Sequence, residues 1–396
     1  MDKKPKIRFK GFDDAWEQRK VSDVSDRYDN LRVPVAENLR MKGTTPYYGA
    51  NGIQDYVDGY THDGEYILVA EDGANDLKNY PVNYVNGRIW VNNHAHVLQA
   101  KKGLADNRFL GYAVSIADIE SVLVGGGRAK LNADELMNIS FLLPNKDEQI
   151  KISSFISSLD NLITLHQRKY EKLKNVKKSM LEKMFPKNNS KFPEIRFKGF
   201  TDAWEQRKLS SIATMHARIG WQNLRTSEFL DRGNYYLITG TDFIDGEIDL
   251  KTCHFVEKER YDQDKNIQIK NGSILITKDG TLGKVAYVEG LDKPATLNAG
   301  VFNVVIIDKN MENKYLFHYL KAPFLMDYVG KRATGGTIKH LNQNILVDFP
   351  VIHPFYDEQT KIGAFFSKLD NLITLHQRKC EKLKNIKKSM LEKMFV

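Results

Sequence analysis

The chain contains two tandem copies of one order of segments, and only parts of the two copies are alike. Residues 5–24 and 193–212 are identical at 15 of 20 positions, and residues 147–185 and 357–395 at 32 of 39. The segments between them have little identity. Drift after an ordinary duplication would change all segments alike. Two similar frames around two dissimilar centres therefore predict a scaffold that holds two different modules.

The duplication divides the chain into six segments. They are an N-terminal arm (1–20), a first module (21–146), a central helix (147–185), a linker with the repeated arm (186–208), a second module (209–356) and a C-terminal helix (357–396). In the modules, apolar β-branched runs at 66–70, 88–98, 273–277 and 301–307 are bounded by Gly, Asn and Asp and predict strands. Residues 315–325 give the clearest helical signal. The sequence therefore predicts α+β modules.

The two long repeated segments have the apolar spacing of coiled-coil helices, with alternating steps of three and four residues. The predicted seam consists of Phe155, Leu159, Leu162, Leu173 and Met180, and of Phe365, Leu369, Leu372, Leu383 and Met390. Polar residues interrupt it at His166, Lys169, His376 and Lys379 and are expected to fix its register. We expect the helices to pair antiparallel around a pseudo-two-fold axis, with the modules at opposite ends. In the alternative, each helix packs on its own module.

Each arm contains two phenylalanines and a tryptophan among charged residues. In the first arm these are Phe9, Phe12 and Trp16, and in the second Phe197, Phe200 and Trp204. The first interpretation is that the arms dock onto the helix pair, and the second is that they contact a partner protein. Docking would agree with the order of segments. The second arm follows the end of the central helix in the sequence, and the first arm could lie at the end of the C-terminal helix in the same way.

The net charge of +9 lies outside the modules, whose own net charges are −4 and 0. A protein that coats phosphates would be basic throughout, so any DNA contact must use local clusters or depend on a partner. No run approaches the roughly 18 apolar residues of a membrane span, and no secretory signal is present. The two cysteines indicate no disulfide framework, so a cytoplasmic location is expected.

Motifs for catalysis are missing from the sequence. Residues 80–83 do not match the Asn/Asp-Pro-Pro-Tyr/Phe loop of an amino-methyltransferase, and residues 280–285 lack the first glycine and the hydroxyl of a phosphate-binding loop. His94 and His96 lack the acidic or cysteine neighbours in sequence that a metal site would need, so a packed or base-facing pair is favoured. The sequence predicts a protein without enzymatic activity, metal or cofactor.

Two motifs and the segment order carry a resemblance to a known family. Each module closes on one pattern: Gly126, Leu131, Asn132, Leu136, Pro144 and residues 147–149, repeated as Gly336, Leu341, Asn342, Leu346, Pro354 and residues 357–359. The strand-turn segment 274–284 has a looser counterpart at 66–73, followed by a variant at 90–96. Over essentially its whole length the chain resembles the specificity subunits of type I restriction-modification systems.

The resemblance implies a non-catalytic DNA-recognition subunit. Each module would be a target-recognition domain for one half of a bipartite, asymmetric target in double-stranded DNA. The helix pair would set the spacing of the halves and dock two modification (methyltransferase) subunits, with two restriction subunits completing the ATP-dependent translocase and nuclease. S-adenosylmethionine, ATP and Mg would then belong to the partners only. The alternative function is a structural adaptor whose coiled coil links protein-binding domains.

Candidate DNA contacts are polar residues beside glycine, where the backbone can approach a duplex closely. The loops at 125–130 and 331–340 occupy the same place in the two modules. A turn with solvated charges is the alternative for both loops. The candidates are Arg128, Lys130, Arg332, Thr337 and Lys339, followed by Asn92, Asn93, His94, Lys278 and Asn298.

Overall fold

The computed structural model describes residues 4–125, 129–187, 190–220, 223–280, 282–332 and 341–395. The chain divides into two units, one made of residues 1–168 and 376–396 and the other of residues 169–375. The division falls inside both long helices. Each unit therefore combines one α+β domain with a segment of each long helix.

The first unit contains eight strands and the first four helices among its described residues. In chain order they are β1 (Glu17–Lys20), α1 (Val21–Val24), β2 (Ser25–Arg27), β3 (Lys42–Gly49), β4 (Gly52–Val57), β5 (His62–Ala70), β6 (Val82–Val91), β7 (Ala95–Ala100), α2 (Asn107–Ser115), α3 (Ala133–Asn138), β8 (Ser140–Leu143) and the start of α4 (Lys146–Lys183).

Six strands of this unit form one sheet in the order β2-β7-β5-β6-β3-β4, in which only β3 and β6 pair in parallel. Strand β5 alternates its side chains between two cores. Ile67 and Val69 pack with the residues of α2, and Tyr66 and Leu68 pack on the opposite face. The prediction of a single strand at 88–98 is wrong, because a turn at residues 92–94 separates β6 from β7.

The second unit contains the remaining elements. They are β9 (Glu205–Lys208), β10 (Ala213–His216), β11 (Tyr235–Ile238), β12 (Phe243–Ile244), β13 (Glu247–Ile248), β14 (His254–Val256), α5 (Lys258–Asp262), β15 (Gln268–Ile269), β16 (Ile274–Thr277), β17 (Val285–Tyr287), β18 (Ala295–Leu297), β19 (Val301–Ile306), α6 (Asn313–Lys321), α7 (Phe324–Arg332), α8 (Gln343–Val347), β20 (Pro350–His353) and α9 (Tyr356–Met394).

Two four-stranded sheets form the centre of the second domain, in the orders β10-β19-β16-β17 and β14-β11-β18-β15. Strand β16 alternates between two cores, with Ile274 and Ile276 on one side and Leu275 on the other. The helix predicted at 315–325 is present as α6 but ends at Lys321. Pro323, which has no amide hydrogen to donate, separates it from α7. Both domains are α+β, as predicted.

The long helices pair antiparallel within each unit. In the first unit Lys387 of α9 lies 2.6 Å from Asp160 of α4, and His376 lies 2.8 Å from His166. Later residues of α4 thus face earlier residues of α9, so the two helices run in opposite directions. In the second unit Lys177 of α4 forms an ion pair with Asp370 of α9, and Phe185, just after the end of α4, stacks on Phe366 of α9 at 5.8 Å. The predicted pairing is confirmed in both units. No helix among the described residues is long and apolar enough to cross a bilayer.

Most predicted seam residues are buried or half-buried. Leu159 and Leu369 are 8% exposed, whereas Leu162 is 43% exposed and does not take the buried position that the spacing predicted. The others are partly buried: Phe155, Leu173, Met180, Phe365, Leu372, Leu383 and Met390. Near Leu162 the thiol of Cys380 faces the Ile163 carbonyl and the Gln167 side chain instead. A helix of 3.6 residues per turn drifts relative to a 3.5-residue repeat, which accounts for the displacement.

The first arm packs on both long helices of its unit. The Ile7 amide donates to the Lys393 carbonyl at 2.9 Å, and the Phe9 ring packs edge-on against Phe155 at 6.0 Å. Trp16 is 1% exposed and contacts Phe109 and Phe395. These contacts confirm the docking interpretation.

The second arm repeats these contacts in the second unit. The Ile195 amide donates to the Lys183 carbonyl at 2.9 Å, and Phe197 packs against Phe365 at 6.0 Å. Trp204, which is 2% exposed, contacts Phe185 and Tyr315. The near-identical arm sequences therefore produce near-identical packing in the two units.

The imidazoles of His166 and His376 meet with their Nδ1 atoms 2.8 Å apart. Replacing both with leucine is expected to raise the free energy of unfolding, by about 1 kcal/mol per half-buried site, because polar seam residues lower stability while selecting one register. The midpoint of urea unfolding measures the change. The double asparagine variant keeps a polar pair and should stay near the wild type. A leucine variant less stable than the wild type would contradict the expectation.

Candidate nucleic-acid interface

Three segments of the first domain meet where β5 ends. The Glu71 amide donates to the His94 carbonyl at 2.9 Å, and the Leu131 amide donates to the Glu71 carbonyl at 2.7 Å. Residues 92–94 form the turn between β6 and β7, and Leu131 precedes α3. The end of β5, the turn that connects its two neighbouring strands and a loop are thus held together by backbone hydrogen bonds.

The second domain contains the same junction. The Lys278 amide donates to the Gly300 carbonyl at 2.8 Å, and the Leu341 amide donates to the Lys278 carbonyl at 2.8 Å. Lys278 follows β16, Gly300 precedes β19, and Leu341 lies two residues before α8. Lys278 therefore corresponds to Glu71, although the two side chains have opposite charge.

The two junctions bring together most of the described candidate contacts. Asn93, His94 and Lys130 lie at the first junction, and Lys278 and Asn298 at the second. Arg332 is exposed at the end of α7, with its guanidinium 3.6 Å from the centre of the Tyr328 ring. Arg128, Thr337 and Lys339 lie outside the described residues.

Two candidates have their side chains occupied within the turns. Asn92 is 4% exposed, and its Oδ1 accepts the His94 amide at 2.8 Å, so its side chain is held within the turn. Asn298 is half-buried and its Oδ1 accepts the Ala299 amide at 2.8 Å. Both lie in turns between consecutive strands, and asparagine in turns commonly bonds to a nearby backbone amide.

The remaining candidates have exposed or half-buried polar groups. Asn93 is exposed, and the His94 ring lies 2.5 Å from the Asp72 carboxylate. Lys130 keeps 45% of its side chain exposed while pairing with Glu71 at 3.0 Å. The Lys278 ammonium lies 5.5 Å from the centre of the Phe302 ring. These side chains could contact phosphates or base edges.

An ion-pair network underlies the first junction. Arg32 pairs with Glu71 at 2.7 Å, and the His96 ring lies 2.7 Å from Asp29 and 3.8 Å from Glu71. Burial opposes ionisation of Glu71, but hydrogen bonds from Arg32 and Lys130 lower its pKa below the ordinary value. Burial likewise opposes ionisation of Asp29, whose pKa is lowered by hydrogen bonds from His96 and the Val97 amide.

The oxygen and nitrogen atoms of Asp29, Glu71 and His96 lie within 4.8 Å of one another, a spacing that a metal ion could use. Arg32 and Lys130 already place cationic nitrogens at 2.7 and 3.0 Å from Glu71. A divalent cation would have to displace both. The arrangement is therefore best described as a salt-bridge network.

A family model described as the type I restriction modification DNA specificity domain matches the chain twice, over residues 13–175 and 201–385. The two matches cover most of both repeats. The chain belongs to this family of type I specificity subunits.

The specificity subunit has relatives along most of its length. It is 30% identical over 365 residues to a protein of Haemophilus influenzae named as a type I restriction enzyme specificity subunit, covering 90% of this chain and 88% of the relative. It is 23% identical to the MjaVIII specificity subunit of Methanocaldococcus jannaschii, covering 95% and 91%. The crystal structure of the S subunit from M. genitalium has the same fold, with a TM-score of 0.72, 16% identity and 99% coverage of both chains.

Several charged residues of this specificity subunit escape prediction from the sequence. Glu71 lies 39 residues beyond Arg32 in the chain, and it meets Asp29 and Arg32 only because β2, β7 and β5 are neighbours in the sheet. Arg218 of the second domain is 1% exposed and donates from Nε to the Leu297 carbonyl at 2.9 Å, beside the Asn298 turn. Burial lowers the Arg218 pKa, with Arg260 adding to the effect. No local pattern distinguishes these residues from surface charges.

Proposed function

We propose that each domain of this specificity subunit recognises one half of a bipartite, asymmetric DNA target. The observation that supports this proposal is the equivalence of the two junctions. Dissimilar domains keep the same backbone hydrogen bonds, Glu71 with His94 and Leu131, and Lys278 with Gly300 and Leu341, while the side chains around them differ. A common framework with different exposed groups would let two domains recognise different bases in the same manner.

The paired helices are proposed to set the spacing of the half-sites and to dock two modification subunits. Helix α4 is unbroken over 38 residues and α9 over 39, which corresponds to about 57 Å at about 1.5 Å of rise per residue. A stiff element of this length is suited to holding a distance. The arms docked on the helices would stabilise that element.

The chemistry is assigned to the partners. The modification subunits would bind S-adenosylmethionine and transfer the methyl group, and two restriction subunits would use ATP and Mg in translocation and cleavage. This chain would bind double-stranded DNA without catalysing a reaction. We expect the complex to act in the cytoplasm.

Exchange of residues 21–146 for the matching segment of the Haemophilus influenzae relative tests the recognition proposal. We expect one half of the methylated target to change while the other half and assembly with the partners persist. Methylation mapping of genomic DNA, in a host that contains this chain with its modification subunits, measures the target.

Exchange of residues 5–20 for residues 193–208 provides the matched control. The two arms are nearly identical and make equivalent contacts, so the target should not change. If the exchanged domain leaves the methylated sequence unaltered, the recognition proposal fails. The domains would then fit the alternative of a protein-binding adaptor.

A further inference from the structure

The guanidinium of Arg218 is buried in the second domain and bonded to two separate elements. Arg218 follows β10 and is 1% exposed. Its Nε donates to the Leu297 carbonyl at 2.9 Å, and its Nη2 donates to the Thr296 hydroxyl at 3.3 Å. Its Nη1 donates to the Gln263 side chain at 3.0 Å, and Nη2 also lies 3.5 Å from the Arg260 carbonyl. One planar group therefore holds the end of β18 and the end of α5 in a fixed arrangement.

Arg218 also connects the two sheets of this domain. Strands β10 and β19 belong to one sheet, and β18 belongs to the other. Because His216, the last residue of β10, lies opposite Asn303 in β19, the end of β10 lies toward the start of β19. Arg218 thus reaches from the first sheet to the last residues of β18, beside the turn at residues 298–300 that joins β18 to β19.

This turn is part of the second junction and contains a candidate DNA contact, Asn298. The Asn298 amide donates to the Ile238 carbonyl at 2.9 Å, and the carbonyl at the end of the turn accepts the junction bond described above. The Leu297 carbonyl directly precedes the turn. The bond from Arg218 therefore fixes the chain at the point where the turn begins.

The first domain also has an arginine beside the equivalent turn. Strand β2 pairs with β7 as β10 pairs with β19, and Arg32 follows β2 as Arg218 follows β10. The Arg32 Nη1 donates to the Ala95 carbonyl at 2.9 Å, directly after the turn at residues 92–94. Its side chain is 15% exposed. Two dissimilar domains thus fix this turn with a largely buried arginine from the same place in the fold.

We infer that Arg218 is a positioning residue for base recognition in the second half-site. The inference rests on the proposed function. A side chain that is 1% exposed cannot itself lie against a duplex, so Arg218 acts through the turn that it fixes. Discrimination between bases depends on exact placement of the contacting groups. Without the bonds from Arg218, the end of β18 and the Asn298 turn would lose that placement.

The test begins with Arg218→Met, which removes every hydrogen-bond donor of the side chain and keeps an unbranched apolar group. We expect the preference for the correct base in the second half-site to fall roughly tenfold, the factor for one misplaced contact. The preference in the first half-site should be unchanged. The measurement compares methylation rates of duplexes that differ from the mapped target by single bases, using the complex of this chain with its modification subunits. The second half-site is the half that persists when residues 21–146 are exchanged.

Asn298→Ala identifies the bases that the turn affects. A positioning role predicts that Arg218→Met lowers the base preference at the same positions as Asn298→Ala.

Arg218→Lys keeps the charge but cannot bond both Leu297 and Gln263 through one planar group. We expect a smaller loss at the same positions. The lysine variant decides the test if the methionine variant does not assemble.

Arg196→Met is the matched control for lost stability. Arg196 is paired with the buried Glu358 and fixes the second arm rather than the turn. Its replacement should destabilise the same unit while both half-sites keep their base preference.

The outcomes separate this inference from the proposed function. The positioning role is refuted if Arg218→Met or Arg218→Lys has the base preference of the wild type, or if methylation of all duplexes falls by one common factor. It is also refuted if the affected positions differ from those of Asn298→Ala. Recognition by the domains stands in each of these cases. If the exchange of residues 21–146 leaves the target unchanged, the recognition proposal fails whatever the Arg218 variants do.

Discussion

Replacing Arg196 with alanine is expected to lower the free energy of unfolding by about 3 kcal/mol, because it leaves the Glu358 carboxylate buried without its partner. The guanidinium of Arg196 donates from Nε and Nη2 to both oxygens of Glu358, each at 2.8 Å, and Glu358 is 1% exposed. The hydrogen bonds to Glu358 are the main cause that raises the pKa of Arg196, so the guanidinium stays charged at every ordinary pH.

The same pair occurs in the first unit, where Arg8 donates to Glu148 at 2.7 and 2.8 Å and Glu148 is fully buried. Arg8→Ala should therefore cost a similar amount. Urea unfolding of the full chain measures both changes. Replacing Arg196 and Glu358 together with methionine should recover most of the loss, because no buried charge then remains.

The exposed pair Lys208 and Asp348, at 2.7 Å, supplies a matched control. Its side chains are 69% and 54% exposed, so Lys208→Ala should leave the unfolding midpoint unchanged within measurement. If Arg196→Ala has no greater effect than Lys208→Ala, the buried pair does not stabilise the arm as the contacts indicate.

The frame of this protein could be predicted from the sequence because its signals are local. The apolar spacing around Leu159 and Leu369 marks the helices, and the repeated arms mark what packs on them. The role of Glu148 was missed, since an acidic residue near a helix start is also explained by the helix dipole. Its partner Arg8 lies 140 residues away. The recurrence of both residues in the second copy was the signal that could have paired them.

The junctions were only partly predictable. Glycine and asparagine mark the turns, so Asn93 and Lys130 could be proposed, but the sequence does not distinguish an exposed Asn93 from a buried Asn92. That distinction depends on where β6 ends. The network of Asp29, Glu71 and His96 depends on strand neighbours in the sheet, and strand order is a long-range property.

Inserting one heptad into each long helix should shift the preferred spacing of the half-sites without changing either half. Seven residues add about 10 Å of helix, which corresponds to about three base pairs of B-DNA. A heptad preserves the phase of the seam, so the pairing of the inserted turns can continue. We expect the wild-type target to lose methylation and a target lengthened by about two to three base pairs to gain it.

The expected range of two to three base pairs follows from the rotation of the DNA duplex as well as from the added helix length. Three base pairs turn the second half-site by roughly 100° about the duplex axis. A heptad, in contrast, leaves the second domain facing nearly the same direction, because seven residues return the seam to the same side of the helix pair. A target lengthened by three base pairs would therefore have to be untwisted before both half-sites could face the protein. The cost of that untwisting favours a gap lengthened by two base pairs over one lengthened by three. Inserting seven residues after Lys187, outside the helices, lengthens the chain without lengthening either helix and should leave the spacing unchanged. Methylation of a duplex series that differs only in the gap distinguishes these results. An unchanged preferred gap in the helix variant would show that the helices do not set the spacing.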